Sequence, residues 1–245
     1  FARTLDRFNP AGIGDAAVDE ALNLLGSRPG PSAELPIVFG YDASRGALSS
    51  LIGAIDAEEI QRGRSFMAGM VGKGVASEAI TLTDDPFIPG GAGSSATDGE
   101  GVPHRKWVLV DRGILTTYLH DSYTAGKDGV ANTAHSTRGG RSATNVIPTL
   151  GSRTQAELIA EIEEGIFVRS AHIAVNDATG DFSQVIDFGY KIERGELAYP
   201  LKETMISGSY LDLLAAIDAV SSDYREKPGM IMPAIRASKV RVIGR

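Results

Sequence analysis

The sequence contains no cysteine, and that absence removes three kinds of chemistry at once. Disulfides, thiolate nucleophiles and cysteine-ligated metal centres all need the missing sulfur, and a cysteine-free chain suits a reducing cytoplasm, where we expect it to work. Long hydrophobic runs are missing too: no stretch of about 18 apolar residues is present to cross a bilayer as a helix. The N-terminus lacks the basic, apolar and small-residue succession of a secretory signal. It begins at Phe1 rather than Met, as a trimmed or partial chain would. Clustered positive charge is the next absence. With 24 Lys and Arg against 31 Asp and Glu the net charge is −7, and no segment concentrates the basic residues. Nothing is therefore set up to neutralise a nucleic-acid backbone. The four histidines, His104, His120, His135 and His172, are never spaced as a zinc-binding pair on one helix would be.

What is present is an ordinary globular composition, 42% hydrophobic and 22% charged over 245 residues. That is enough for one large domain or two small ones with a core that needs no staples. The pattern around residues 37–59 organises the rest. Ile37-Val38-Phe39, between Pro36 and Gly40, reads as a buried strand. Asp42 or Ser44 is placed to cap a following helix whose Leu48, Leu51, Ile52 and Ile55 share a face. The outward positions of that helix offer Ser49, Ser50 and Ala54, with no His, Cys or Glu before Glu58.

Residues 15–25 predict a helix with Val18, Ala21, Leu22 and Leu25 on one face and Gly26 as its stop. Arg28 to Ser32 is a Pro/Gly break, so residues 1–34 are expected to be a leading helix and linker and residues 35–245 the main domain. Residues 75–82 predict a strand. Residues 84–101 and 120–145 read as two long polar, Gly-rich loops, the kind that carry function. Hairpins are expected at Asp111-Arg112-Gly113 and Glu193-Arg194-Gly195. Thr154 with Glu157 forms a capping box for a helix over 154–164, ended by Gly165. Strands are expected at 166–168, 185–192 and 240–243, and Ser209 should cap a helix carrying Leu211, Leu214, Ala215 and Ile217. The fold class that follows is α+β, with a mixed, largely antiparallel sheet or barrel-like core, hairpins and packed helices.

Tested singly, the chemical motifs fail. Gly72-Lys73 lacks the first Gly and the Ser/Thr of a phosphate loop, and Gly91 to Ala96 matches a loose dinucleotide pattern without the flanking strand and helix. There is no G-x-S-x-G elbow. His120 and Asp121 open a polar loop where acid–base work is plausible, although a loop histidine more often simply makes hydrogen bonds. His135 is equally ambiguous, and His172, among apolar neighbours, reads as structural. Asp181, after Thr179-Gly180, reads as a residue tying a turn.

Several blocks taken together carry more. Asp84-Asp85-Pro86, the Gly-rich loop, Asp98-Gly99-Glu100-Gly101, Gly113 to Leu119, Asp121 to Ala125, Thr133-Ala134-His135, Thr144-Asn145-Val146, Thr179 to Ser183 and Ile206 to Ser209 follow in order. Their succession, from about Leu35 onward, resembles the C-terminal domain of the TldD/PmbA family, often labelled modulators of DNA gyrase. That resemblance implies a peptidase of two related subunits. One carries H-E-x-x-x-H on a helix and a Cys near the C-terminus as metal ligands; its PmbA or TldE partner lacks them. The pair cleaves unfolded or leader peptides. Aligned on Gly53, the metal motif falls on Ser49 to Ala54, so Ser49, Ser50 and Ala54 stand where His, Glu and His would be, and residues 225–233 contain no Cys. The resemblance thus implies the non-catalytic subunit type, with no metal or other cofactor of its own. Its expected partners are a TldD-like catalytic subunit or a second copy in a dimer, and an extended peptide. His120, Asp121, Tyr123, His135, Asn145 and Asp181 are the candidate contacts in the polar loops. The alternatives are a regulatory protein-binding module true to the gyrase-modulator label, and a metal-independent hydrolase built on His120–Asp121 or Asp181.

Overall fold

A computed structural model describes residues 11–244, and the part of the leading segment at residues 1–10 lies outside the described residues. The chain opens with α1 (Ile13–Leu22), β1 (Arg28–Pro29) and β2 (Ala33–Phe39), then α2 (Tyr41–Ala54) and α3 (Ala57–Gln61). β3 (Leu82–Asp84), β4 (Trp107–Asp111) and β5 (Ile114–Leu115) follow, then α4 (Ser122–Asp128), β6 (Ser136–Thr137), β7 (Gly140–Arg141) and β8 (Val146–Pro148). The remainder is α5 (Gln155–Ala160), β9 (Glu164–Ser170), β10 (Asp181–Val185), β11 (Phe188–Glu193), β12 (Glu196–Lys202), β13 (Met205–Ser209), α6 (Tyr210–Ala215), β14 (Ile217–Lys227) and β15 (Met230–Ile243). The α+β expectation is met: thirteen strands make one mixed sheet, and β6–β7 is a separate small hairpin.

β2 lies inside this sheet, parallel to β9 and antiparallel to β15. Its apolar run is continuous because both faces are covered. Ile37 and Phe39 face the larger core, with Leu48 and Leu51 of α2 and Tyr210 and Leu214 of α6. Val38 faces the smaller one, with Leu158 and Ile159 of α5. Each of these side chains except Ile159 is fully shielded, and burial of that kind stabilises by about 1.5–3 kcal/mol per large aliphatic residue.

Several expectations need correction. Neither Asp42 nor Ser44 caps α2: its N-cap is Gly40, without a side-chain cap, and the Ser44 hydroxyl instead donates to the Tyr41 carbonyl. The helix stops at Ala54, because Asp56 caps the separate α3. The strand expected at 75–82 is confined to β3, since Val75 and Ala76 donate to the Gly113 carbonyl outside any strand. The helix at 154–164 keeps its capping box but ends at Ala160. Gly165 belongs to β9, where an added Cβ would meet the Pro36 carbonyl at 2.7 Å. The strand expected at 185–192 is two, β10 and β11. The strand expected at 240–243 is only the end of β15, which forms a long hairpin with β14. The loop at 120–145 holds α4 and the β6–β7 hairpin.

Candidate functional site

α2 presents its outward face to the extended segment 171–175, and between them lies an open groove of about 620 Å³ lined by Asp42, Arg45, Ser49, Ser50 and His172 among others. Gly46 makes the close approach possible, since a Cβ there would come within 3.2 Å of the Ile173 nitrogen. The Ser50 hydroxyl shares its hydrogen between the Gly46 carbonyl at 3.0 Å and the Ile173 carbonyl at 3.1 Å, fastening the segment to the helix. Ser49 is exposed on the groove wall, whereas Ala54 is 4% exposed and packs into the core. His172, expected to be structural, is exposed and lines the groove instead.

This donor set does not fit a metal ion. A zinc centre takes about three protein ligands from His, Cys or carboxylate. Here one of the three motif positions is a committed hydroxyl, one an open hydroxyl and one a buried methyl. Among the described residues no group of three or more His, Cys, Asp or Glu is arranged to hold a metal.

The polar loops converge on a second, buried network. Asp84, at the end of β3, takes hydrogen bonds through Oδ1 from the Thr144 and Asn145 amides, each at 2.8 Å, and from the Thr144 hydroxyl at 2.7 Å. Its Oδ2 lies 3.1 Å from His135 Nε2, which must carry a hydrogen because an ionised carboxylate only accepts. His135 Nδ1 meets the Thr133 hydroxyl at 2.8 Å, and that hydroxyl also bridges to the backbone of His120. Both histidines are buried, at 1% and 4% exposure. Burial pushes the His120 imidazole below its usual pKa, only partly offset by Asp128 and Asp121, so it is held neutral. Its Nδ1 has no hydrogen-bond partner among the described residues. Neither ring is open to a substrate. Asn145 is structural in the same sense: its amide donates to the Asp85 carbonyl and the Ser94 hydroxyl and accepts from the Gly93 amide, stapling the Gly-rich loop down.

Arg141, which no local motif marks, ties this network to the helices. Its side chain is 6% exposed and reaches Asp56 at 2.6 Å, Glu58 at 2.5 Å and Asp121 at 2.7 Å. Burial raises the Asp121 pKa, but the hydrogen bonds from the Thr124 amide and hydroxyl and from Arg141 outweigh it and hold the carboxyl below its usual range. Asp121 also caps α4 in a full capping box, so both its oxygens are engaged structurally. Beside it Tyr123 stands 69% exposed. Asp181 opens β10 with an exposed side chain, and the preceding turn is tied by the Asn176 carboxamide oxygen, which accepts from Ala178 and Thr179, and by the Asp181 backbone carbonyl, which accepts from the Asn176 amide at 2.8 Å, rather than by the Asp181 carboxylate. The structure therefore joins His120, Asp121, His135 and Asn145 in one scaffold and leaves Tyr123 and Asp181 at the surface. Ser49 and Ser50 belong to the groove.

Residues 32–244 match the PmbA/TldA metallopeptidase C-terminal domain. A metalloprotease of Methanothermobacter thermautotrophicus is 32% identical over 228 residues, covering 90% of this chain and 50% of its own length. A PmbA metalloprotease homologue of Haemophilus influenzae is 29% identical over 246 residues, covering 100% and 54%. Among solved structures, TldE of Thermococcus kodakarensis aligns with a TM-score of 0.85 at 30% identity, over 95% of this chain and 55% of that one. A Thermotoga maritima protein carrying a DNA-gyrase-modulator name aligns at 0.92 with 33% identity, over 99% and 57%. No helix among the described residues is long and apolar enough to cross a membrane. The chain spans about half the length of the curated relatives it matches. With its sequence matching the family's C-terminal domain over residues 32–244 and its fold aligning with that of TldE, this chain belongs to the PmbA/TldD metallopeptidase family, through its C-terminal domain.

Proposed function

We propose that this chain is the non-catalytic, PmbA/TldE-type subunit of a cytoplasmic two-subunit metallopeptidase that processes unfolded or leader peptides. The observation that carries the reading is the Ser50 hydroxyl, bound to both Gly46 and Ile173 carbonyls where the resemblance would place the general-base Glu. A longer acidic side chain there would have to lift segment 171–175 off the helix. The chain's role is then to complete a substrate chamber with a TldD-like catalytic subunit, or with a second copy, and to help hold an extended peptide. Exposed Tyr123 and Phe87, 69% and 58% open on the two loop systems, suit such contacts. In the same reading residues 1–34 form the leading helix and linker and 35–245 the C-terminal domain. The exposed Val18 and Leu22 of α1, 58% and 56% open, with Leu25 just beyond it at 73%, support a segment that covers no core of this domain. The test is co-purification from the native host followed by elemental analysis and peptidase assay. The isolated chain is expected to bind no stoichiometric zinc and cleave nothing, whereas a complex with a TldD-like subunit is expected to bind zinc and cleave peptides. Stoichiometric zinc on the chain alone, with peptidase activity lost on chelation, overturns the proposal.

A further inference from the structure

The buried network of the polar loops holds one titratable group that the scaffold leaves unused, the His120 imidazole. The ring is 4% exposed, and its Nδ1 has no hydrogen-bond partner among the described residues. The backbone beside it is engaged on both sides. The His120 amide donates to the Thr133 hydroxyl at 2.6 Å, and the His120 carbonyl lies 3.0 Å from that hydroxyl and accepts from the His135 amide at 3.3 Å. The ring is thus stationed where the start of α4 meets segment 133–135. The titratable and charged groups around it are Tyr118, 6.4 Å away between ring centroids, Asp121 and Asp128 of α4, Arg141 of β7, and His135. Burial is the largest influence and disfavours charge on the ring; Asp128 and Asp121 favour it, and Arg141 and His135 oppose it. A second ring proton makes both nitrogens donors. It would put a charged Nδ1–H in a buried site without an acceptor, an arrangement that costs several kcal/mol by the general cost of burying an unpaired ion. Of the two carboxylates, Asp121 is already committed to the α4 cap and to Arg141. Asp128, exposed on the last turn of α4, has no ion pair among the described residues.

We infer that His120 is a proton-operated latch on α4: the neutral ring packs between α4 and segment 133–135 and keeps them closed, and the charged ring leaves for solvent beside the Asp128 carboxylate and opens that packing. The sign is fixed by the burial. The folded imidazole is held below its unfolded value of about 6.5, so the stability it secures is complete above that value and is lost as pH falls below it toward the folded value. The surface under its control is that of α4, where Tyr123 stands 69% exposed. The latch rests on this network alone and is independent of the subunit assignment.

The chain carries its own reporter. Trp107 is its one tryptophan, and the indole Nε1 donates to the Thr133 carbonyl at 2.9 Å, on the segment that the latch closes. The test is the emission of Trp107 and the thermal midpoint of the purified chain, titrated from about pH 8 to about pH 5 at constant ionic strength. Wild type is expected to show a reversible emission change with its midpoint below about pH 6.5, and a lower thermal midpoint on the acid side. His120→Phe and His120→Gln should both lose that transition. Any smaller change they keep belongs to His135, whose ring lies 6.4 Å from that of Trp107. Asp128→Asn, an exposed substitution that leaves His120 in place, should move the transition to lower pH, because it removes the carboxylate that favours the charged ring. That variant decides the matter if neither His120 variant folds. A flat wild-type profile, a transition unchanged in His120→Phe or His120→Gln, or one that Asp128→Asn leaves in place overturns the inference.

Discussion

Replacing Arg141 by Met removes one buried cation from between three carboxylates, and the consequence can be worked out from the geometry. The guanidinium, 6% exposed, leaves Asp56 and Asp121 at 16% and 13% exposure facing Glu58 with no counter-ion. Breaking a buried ion pair by removing one partner costs about 3–5 kcal/mol. The carboxylates rehydrate in part, which favours the lower end, about 3 kcal/mol, with the more open Glu58 left out of the sum. In a chain of this size each kcal/mol moves the midpoint by about 2–4 °C, so Arg141→Met should melt about 6–12 °C lower at neutral pH. The pH dependence has a definite sign. Asp121 is held below its usual pKa when folded. Its contribution is therefore complete above the unfolded value, about 4, and is lost as pH falls through the folded value. The gap between wild type and variant should narrow on acidification below about pH 4. Asp121→Asn in the Met background keeps a competent N-cap and removes one orphaned charge, and should recover about 1 kcal/mol. Thermal melts from neutral to acid pH, read by circular dichroism, supply the measurement. A midpoint shift below about 2 °C, or a gap that does not change with pH, would refute the assignment of Arg141 as the charge that closes this network.

Asn145→Ala deletes three hydrogen bonds that hold the Gly-rich loop, to Gly93, Ser94 and Asp85. It should cost about 2–3 kcal/mol and open residues 88–96 to limited proteolysis, and an unchanged cleavage pattern would show the loop is held by other means. Restoring the family motif as Ser49→His, Ser50→Glu and Ala54→His should not restore zinc binding. Ala54 faces the core at 4% exposure, so a His there cannot reach the groove without displacing core side chains, and residues 225–233 supply no Cys as a further ligand. Metal analysis of the triple variant should therefore stay below stoichiometric, and the added bulk at 54 should cost about 1–3 kcal/mol.

How much of this was readable beforehand follows from which residues carry local signals. Ile37 to Phe39 announced a buried strand because both its faces are covered, and the Thr154 box announced α5 because a cap is a local motif. Gly165 misled, since a glycine that follows a helix and one that lets a strand pass close to Pro36 look alike in sequence. α4 escaped notice because Ala125 is its one buried apolar residue, too few to make a period. The β14–β15 hairpin was hidden by a polar outer half, Asp223 to Lys227, and by shifts in its register. Arg141 lay in a Gly-rich polar run, and only the meeting of α3, α4 and β7 shows that it is a centre rather than a surface charge. The serines of α2 were legible as an absence of ligands. The ion pairs of Asp42 were not, because Arg225 and Lys227 reach it from more than 180 positions away.

The place of β15 has a consequence for how the molecule is made. This C-terminal strand pairs with β2, β8, β13 and β14, so it joins segments from near residue 33 to residue 227. Until its fourteen residues are available, the edge of β2 away from β9 stays open. Such long-range pairing is slow and depends on contacts that local structure cannot anticipate. During synthesis the chain therefore carries an exposed, apolar strand edge until β15 emerges from the ribosome. Loss of β15 should leave a product that aggregates through β2 rather than one that is merely less stable.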